Sequence, residues 1–541
     1  MVAYKKQRPR ASRGNALIRL VSAFMWVFTL ASCGGGGGNG DLTTGGGTST
    51  ADTWTAGVYQ PSANFAAKCA APRSGTDPYT QKPYPDVKGS TLTENNWLRS
   101  WTNELYLWYD QVTDIDPSLY STADYFNQLK TFQTDSAGEP TDKFHFTYST
   151  STYESLSSSD IEPGYGVGWE LIAATPPREL VVAYIMPNTP AATDNLARGA
   201  QILTIDGVDL VNANDQTSIN TLNAGISPAT VGETHTFTVR DLGSSTTRTI
   251  SMTSQNVTEI PVPLAKTLAT ASGTMGYIVF DDQEGTAEAG LINAVNQLKA
   301  AGITDLVLDM RYNGGGYLDI ASELAYMIAG PVPTSGATFY TQQFNAKHPT
   351  TNPVTGQALA PLGFHTQTQG FSVTSGQALP TLNLSRVFVL TGPSTCSASE
   401  AVMNGLQGVN VNVIQIGDTT CGKPYGFYPQ DNCGTTYFSI EFRGINAQGF
   451  GNYPDGFTPS NSNLPASGAT FPGCTVADDF THALGDPAEA RLSAALTFAS
   501  TAACPVPGAT PGSLKQTHRL PVGTGGLVVR SPLRDNLILR R

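Results

Sequence analysis

The chain has 541 residues, of which 40% are hydrophobic and 14% charged, and its net charge is −12. A chain of this length forms about two to four domains, and its apolar fraction excludes an intrinsically disordered polymer. Six lysines and arginines lie within residues 1–32, so the remainder carries −18, which excludes nucleic acid or an anionic membrane surface as the main partner.

The N-terminal region predicts export. Residues 1–32 combine their positive charges with an apolar run over 20–32 that is too short for a membrane span and is typical of a signal peptide. Small residues directly before Cys33 resemble the bacterial lipobox, in which the cysteine is lipidated; the alternative is an ordinary signal peptide with an incidental cysteine. Gly34, where an aspartate commonly retains a lipoprotein in the inner membrane, favours the outer membrane. The glycine-rich segment 33–53 is expected to be a flexible tether.

The remaining cysteines predict disulfides rather than a metal site. Six of them would lie in an oxidising compartment, and their spacing leaves every pairing open. The turn-forming residues between Cys421 and Cys433 make these two the most plausible local pair. Because no CxxC spacing and no histidine cluster occurs, we expect neither a metal ion nor a cofactor.

The first folded region is predicted to be helical. Apolar positions recur at helical spacing from Asn95 to Val112, and a second, weaker helix is expected over 122–132. Aromatic stripes of this kind usually form a core. Residues 54–155 are therefore predicted to be a small helical domain, to which we assign no chemistry.

Residues 160–255 show the pattern of short β-strands with turn signals between them. The sequence Gly164-Tyr165-Gly166-Val167 opens this segment, and together with the stretch ILTIDGVDL it resembles a PDZ domain. PDZ domains add a peptide as an extra strand and hold its terminal carboxylate on backbone N–H groups, so the resemblance implies peptide binding at these four residues. A β-domain without a ligand is the alternative. The predicted strands are Gly166–Ala173, Leu180–Met186, Gln201–Ile205, Thr234–Arg240 and Thr246–Met252.

Strands and helices alternate over residues 270–505, which predicts an α/β layered domain. The proline-containing segment 506–541 is expected to be a loose tail. The predicted elements are strand Met275–Phe280, helix 286–300, strand Asp305–Met310, helix 318–329, strand Val387–Thr391, helix 397–407 and strand Val411–Gly417.

Three turns of this domain carry candidate chemistry. Residues 309–316 place glycines between a strand and a helix, where backbone N–H groups are available as donors. In the second turn, Ser397 and Glu400 have the spacing of a helix capping box, which is the simplest explanation of that turn by itself. One strand later Lys423 lies between a glycine and a proline, and by itself would be a solvated loop lysine.

The order of these turns, RxNxGG, SxSASE and GK, resembles the carboxyl-terminal-processing (tail-specific) serine proteases. The PDZ-like segment ahead of them matches the layout of that family, and LGDPAEARLSAAL at 484–496 is similar to its closing helix. The resemblance covers about residues 95–500. It implies an α+β multidomain protein with an N-terminal helical domain, a PDZ-like β domain and an α/β, ClpP/crotonase-like protease core.

The resemblance also implies roles for four residues. Ser397 is the nucleophile and Lys423 the general base, because a serine hydroxyl attacks poorly until a base removes its proton, and a desolvated lysine can do so. The backbone N–H groups of Ala398 and Gly315 form the oxyanion hole. His145 of the helical domain is the first alternative if Lys423 is not the base of the enzyme.

Two positions depart from the family pattern. Phe427 lies where the family often has a glutamine in the hydrogen-bond network of the lysine, although Gln430 is close by. Cys396, directly before the nucleophile, would stiffen the turn if it formed a disulfide and would be a competing thiol if free.

The expected function is that of a serine endopeptidase with a Ser–Lys dyad, which cleaves envelope proteins or peptides and recognises their C-termini through the PDZ-like domain. Its partners are a protein or peptide substrate and, through the lipid anchor, a membrane of the cell envelope, with no nucleic acid. The alternative is a catalytically inactive binding or scaffold lipoprotein on the same fold. A purely structural lipoprotein would leave the serine and lysine unexplained.

Overall fold

The computed structural model describes residues 54–135, 138–158, 161–270, 273–505, 526–529 and 537–538. The predicted signal peptide, Cys33 and the 33–53 tether lie outside the described residues. None of the helices within the described residues is both long and apolar enough to cross a membrane.

The N-terminal region is built around one capped helix and an aromatic core. The Ser90 hydroxyl accepts from the Thr93 amide at 3.2 Å, and the chain leaves the helix at Tyr106, so this helix begins and ends earlier than the spacing predicts. The rings of Trp97 and Trp101 stack 5.2 Å apart within this core, as expected for an aromatic stripe. The elements are α1 (Thr91–Leu105), α2 (Thr122–Gln128), α3 (Thr150–Ser158), β1 (Lys68–Cys69), β2 (Val87–Lys88) and β3 (Phe146–Ser149).

The next region forms an antiparallel sheet in the order β10-β9-β7-β6-β5, with β8 beside β7. Strand β5 lies at the edge of this sheet, and strands β4 and β11 pair with each other. Helix α5 packs its apolar residues against the sheet. The elements are β4 (Ile161–Gly164), β5 (Val167–Ala173), β6 (Glu179–Ile185), α4 (Pro190–Thr193), β7 (Gln201–Ile205), β8 (Val208–Asp209), α5 (Gln216–Ile226), β9 (Thr234–Arg240), β10 (Arg248–Thr253) and β11 (Gln255–Thr258).

The third region contains a second sheet in the order β12-β13-β14-β18-β19-β26, parallel except for β12. Its central strands are buried apolar runs because helices cover both faces, α6, α7 and α9 on one side and α10 on the other. The helices are α6 (Ala287–Ala300), α7 (Leu318–Ala329), α8 (Pro331–Thr334), α9 (Ala398–Gly408) and α10 (Ala490–Thr501).

The strands of this third region are β12 (Leu264–Thr270), β13 (Gly273–Val279), β14 (Asp305–Asp309), β15 (Gly316–Tyr317), β16 (Thr338–Phe344), β17 (Leu362–Gly363), β18 (Arg386–Thr391), β19 (Asn412–Gly417), β20 (Tyr425–Gly426), β21 (Gln430–Asn432), β22 (Thr435–Phe438), β23 (Phe442–Ile445), β24 (Thr458–Pro459), β25 (Thr470–Phe471) and β26 (Gly473–Thr475). The short strand β27 (Leu537–Ile538) follows within the predicted tail.

The strand and helix predictions for 160–255 and 270–417 agree with the structure to within two residues. The boundary between the first and third regions is less sharp than predicted, because β3 pairs with β22 and the two regions share a sheet. The predicted loose tail lies mostly outside the described residues. Its two described parts, 526–529 and 537–538, contact the rest of the chain.

The predicted pairing of Cys421 with Cys433 is wrong. Cys421 follows β19, and Cys396 follows the neighbouring strand β18, so the order of strands in the sheet brings these two together. Cys433 lies in the hairpin between β21 and β22, where the N-terminal region packs. The disulfides are Cys69–Cys433, Cys396–Cys421 and Cys474–Cys504.

Candidate active site

The carboxyl ends of β14, β18 and β19 meet at one edge of the parallel sheet, which brings the three predicted turns together. Asn313 joins the first turn to the second. Its backbone oxygen accepts from the Cys396 amide at 3.0 Å, and its Oδ1 accepts from the Ser399 hydroxyl at 2.8 Å. These hydrogen bonds fix the backbone on both sides of Ser397.

Ser397 stands directly before helix α9 with φ 58° and ψ −110°, a left-handed conformation that costs energy in a residue with a side chain. The residue is fully buried. Ser397 and Glu400 have the arrangement of a capping box, but within the described part of the chain the Ser397 hydroxyl oxygen makes no hydrogen bond of normal geometry. The Ser399 hydroxyl, in contrast, donates to Asn313 and accepts from Gln283 Nε2 at 3.2 Å, so it stabilises the fold by two hydrogen bonds.

Glu400 connects the serine turn with the lysine turn. Its Oε2 accepts from the Ser397 amide at 3.0 Å and from the Lys423 amide at 2.7 Å. Its Oε1 accepts from the Thr420 hydroxyl at 2.5 Å and from the Gly422 amide at 2.9 Å. Burial raises the pKa of Glu400, and the hydrogen bonds from Thr420, Lys423, Gly422 and Ser397 oppose that shift. Of these four contacts of Glu400, the capping-box spacing in the sequence predicted only the one with Ser397.

Lys423 is buried, with 1% of its surface exposed, so it is not a solvated loop lysine. Its Nζ lies 4.5 Å from the ring centroid of Phe144 and 4.9 Å from that of Phe427. Phe427 therefore contacts the lysine from the position where the family often has glutamine. The contribution of Phe144 comes from the N-terminal region, which the sequence left without a role, and no sequence signal indicated it.

The two predicted oxyanion donors differ in their surroundings. Ala398 is the first residue of α9, where a backbone N–H has no acceptor within the helix. The amide of Gly315 donates to Asn313 Oδ1 at 3.0 Å. A role of Gly315 in an oxyanion hole therefore requires that this hydrogen bond be exchanged for one to the substrate.

Two groupings of possible metal ligands occur among the described residues, and each contains a disulfide. They combine Cys69 and Cys433 with Glu94, and Cys396 and Cys421 with Glu400. Sulfur atoms in a disulfide are not thiolate ligands, so these groupings are not metal sites in the oxidised protein.

His145 follows Phe144 but faces the aromatic core of the N-terminal region. Its ring stacks on Phe126 at 3.8 Å, and its Nε2 lies 2.9 Å from the Phe126 backbone oxygen. Burial lowers the pKa of His145 to about 4, so the ring is neutral at neutral pH.

The four residues predicted to bind peptide lie together at the start of the edge strand β5. Gly166 has φ 75°, and a Cβ atom there would lie 2.3 Å from Thr189, so this turn requires glycine. The Tyr165 side chain is buried, Gly164 ends β4, and Val167 begins β5. A peptide that adds a strand to this sheet would pair with the outer edge of β5.

The PDZ-like region contacts both glycine- and serine-bearing turns. The Ser394 hydroxyl donates to Glu170 of β5 at 3.4 Å. Arg198 donates to the Tyr312 hydroxyl at 2.6 Å and to Asp478 at 2.8 Å. The motif residue Arg311 joins the same network by donating to Asp478 at 2.7 Å. The first contact places the edge strand β5 beside the serine turn, and the second places the loop of Arg198 beside the glycine turn.

Two segments of the chain match known protein families. Residues 274–427 match the family described as Peptidase family S41, and residues 159–227 match the PDZ domain. A carboxyl-terminal-processing protease of Picosynechococcus sp. (strain ATCC 27264 / PCC 7002 / PR-6) is 30% identical over 179 residues, which are 32% of this chain and 40% of that protein. The chain thus matches less than half of the length of that curated relative.

Solved structures resemble the chain over a larger part. A putative S41 protease from Bacteroides fragilis NCTC 9343 has a TM-score of 0.53 at 20% identity and covers 77% of this chain and 98% of its own. The photosystem II D1 C-terminal processing protease has a TM-score of 0.43 at 18% identity, over 69% of this chain and 93% of its own. The first of these shows a similar mixed α/β fold, and the chain carries a segment that matches peptidase family S41 behind a segment that matches the PDZ domain.

Proposed function

We propose that the chain is a serine endopeptidase in which Ser397 is the nucleophile and Lys423 the general base. The observation that carries this proposal is the position of Glu400, whose Oε2 holds the amides of both residues at 3.0 and 2.7 Å. The burial of the Ser397 hydroxyl and of the Lys423 side chain adds to it, since a serine nucleophile needs a base close by that is shielded from water.

The reaction follows from these groups. As the Ser397 oxygen bonds to the scissile carbonyl carbon, neutral Lys423 takes the hydroxyl proton, and the carbonyl oxygen becomes an oxyanion that accepts from the amides of Ala398 and Gly315. Lys423 then gives its proton to the departing amine, which leaves an acyl-enzyme. A water molecule, deprotonated by the same lysine, hydrolyses the ester and restores the serine.

In this proposal the PDZ-like domain selects the substrate by binding its C-terminus. The backbone amides around Gly164–Val167 would hold the carboxylate of a substrate C-terminus, and the preceding residues would pair with β5. The substrates would be envelope proteins or peptides, reached by an enzyme that a lipid on Cys33 attaches to the outer membrane.

The alternative is a binding or scaffold lipoprotein without catalysis. It gives no reason for the positive φ of Ser397, which a helix cap does not need. A protein that only binds peptides would retain its affinity in Ser397→Ala and show no turnover in the wild type.

Hydrolysis of an unfolded reporter tests the proposal. Ser397→Ala should abolish turnover and leave thermal stability nearly unchanged, because its hydroxyl makes no hydrogen bond within the described residues. Ser399→Ala is the matched control: it should lower stability by about 1–2 kcal/mol through the lost bonds to Asn313 and Gln283, and retain substantial activity. An inactive Ser399→Ala with an active Ser397→Ala would contradict the assignment. A reporter with an amidated C-terminus tests the carboxylate recognition separately.

A further inference from the structure

The strand β27 lies at the candidate active site. Leu537 and Ile538 pair in parallel with Gly316 and Tyr317 of β15, the two residues that directly follow Gly315. The other edge of β15 is already bound, since the Tyr317 amide donates to the Gln283 backbone oxygen at 2.9 Å. Strand β27 therefore occupies the edge of β15 that remains.

The same strand lies against the lysine turn. Strand β20, which begins two residues after Lys423, is in contact with β27. Helix α9, which begins directly after Ser397, packs against β15. The backbone of residues 537–538 is thus held where the glycine turn (309–316), the serine turn and the lysine turn meet.

A second part of the same segment is bound to the PDZ-like domain. The side-chain amide of Asn223 on α5 donates to the Gly526 backbone oxygen at 3.2 Å and accepts from the Val528 amide at 2.9 Å. Leu527, between them, is 8% exposed and belongs to the hydrophobic cluster that contains Ile219 and Leu222 of α5. Asn223 thus binds two backbone groups of an extended chain, which is how a peptide is recognised without regard to its side chains.

We propose that this tail segment, through its described residues 526–529 and 537–538, is an intramolecular occupant of the substrate path and keeps the enzyme in a self-blocked state. This inference rests on the proposed function, because it takes the cleft beside Ser397 as the substrate cleft. Residues 526–529 hold the segment on the PDZ-like domain, and residues 537–538 take the strand position that a substrate backbone would need.

The blockade acts by competition. A segment tethered to the same chain has an effective concentration of about a millimolar, so an external peptide binds only to the fraction of molecules in which the segment is released. Release raises the apparent affinity for substrate and leaves the chemistry at Ser397 unchanged. The segment should therefore act on KM rather than on kcat.

Two full-chain variants and one matched control test this. Leu527→Asp places a charge at a buried position of the segment, and replacement of both Leu537 and Ile538 by proline removes the backbone N–H groups of β27. Val528→Asp adds the same charge one residue away, at a side chain that is 43% exposed. The first two variants should lower KM for an unfolded reporter at least fivefold with kcat unchanged, and the control should behave as wild type. Equal KM in all four proteins would overturn the proposal.

A readout without catalysis separates this inference from the proposed function. In a Ser397→Ala background, amide hydrogen exchange of residues 316–317 should be faster in the double-proline variant, and that of 526–529 in Leu527→Asp, but not in Val528→Asp. A synthetic peptide of residues 524–541 should slow exchange at 316–317 again when added to the double-proline variant. Unchanged exchange in every variant would contradict the blockade even if all proteins were inactive.

Discussion

Cys396 and Cys421 form a disulfide with their Cα atoms 5.1 Å apart, which links the turn of the candidate nucleophile to the turn of the candidate base. Cys396 directly precedes Ser397, and Cys421 lies two residues before Lys423. The Cys421 amide also donates to the Thr395 backbone oxygen at 3.0 Å. A covalent bond, a backbone hydrogen bond and the Glu400 carboxylate therefore fix the two turns to each other.

Removal of this disulfide should impair catalysis as well as stability. The Cys396→Ala, Cys421→Ala double variant should lose about 3–4 kcal/mol of unfolding free energy and at least tenfold in kcat, because the two turns lose their covalent link. The Cys474→Ala, Cys504→Ala double variant is the control, since its cysteines are separated by 30 residues, close to the 25 of the first pair. It should lose similar stability and keep kcat. Denaturant unfolding measures the stability of the two double variants, and reporter hydrolysis measures their kcat. Equal kcat in the two variants would contradict a role of the Cys396–Cys421 disulfide in catalysis.

Glu400→Gln should weaken the hydrogen bonds that hold the serine turn and the lysine turn together. If the carboxamide nitrogen replaces Oε2, it faces the Ser397 and Lys423 amides, which are both donors, and the opposite rotamer places it against Thr420 and Gly422. We expect a loss of about 1–3 kcal/mol in unfolding free energy and at least tenfold in kcat, with KM little changed. Retention of full kcat together with a loss of stability would mean that Glu400 supports the fold but does not position the two residues.

A buried carboxyl pair should make stability depend on pH. Burial and the neighbouring Glu288 raise the pKa of Glu323 to about 9, against an ordinary value of 4.5. The folded state then binds more protons than the unfolded state between these values, so this carboxyl contributes stability that is fully present below about pH 4.5 and is lost as pH rises through 9. Glu323→Gln, which cannot ionise, should gain stability relative to wild type as pH rises from 5 to 9. A stability difference that stays constant over this range in denaturant titrations would refute the pKa shift.

The matched control for that prediction is Glu288→Gln. Burial alone would raise the pKa of Glu288, but the amides of Ser372, Gly370 and Val373 outweigh it and lower the pKa. Glu288→Gln removes acceptors for these amides and should destabilise the protein most at neutral and alkaline pH. Opposite trends in the two variants would identify Glu323 as the protonated member of the pair.

The predicted lipid anchor is testable in cells. If Cys33 is acylated, the wild type should partition into detergent, and Cys33→Ser should be released to the soluble fraction or remain unprocessed. Stable attachment requires more than one acyl chain, since a single chain binds membranes only marginally. Recovery of unmodified wild type in the soluble fraction would contradict the anchor.

The sequence was sufficient for features that local patterns encode. The alternation of strands with helices over 270–417 predicts the α/β layered domain, and the structure places the turns of Gly315, Ser397 and Lys423 at one edge of its parallel sheet. The disulfides were not predictable in this way, because Cys421 pairs across neighbouring strands rather than along the chain.

Contacts between segments that are distant along the chain, and the hydrogen bonds within a single turn, could not be predicted from the sequence either. Phe144 reaches Lys423 only because β3 joins the sheet of β22, a pairing between distant segments. The position of β27 likewise depends on its pairing with β15, which is distant in sequence and which no local pattern indicates. The engagement of the Gly315 amide by Asn313 is a third such detail, set by the conformation of one turn.

The most direct test of the Ser397–Lys423 dyad is the rate of reporter hydrolysis by Lys423→Arg, with Lys423→Met as a neutral control of similar length and the melting temperature recorded for both. Guanidinium stays charged and cannot accept the serine proton, and methionine has no basic group. Both folded variants are predicted to be nearly inactive. A folded Lys423→Arg or Lys423→Met that retains more than about a tenth of the wild-type rate, a difference of roughly 1.4 kcal/mol, would contradict the dyad.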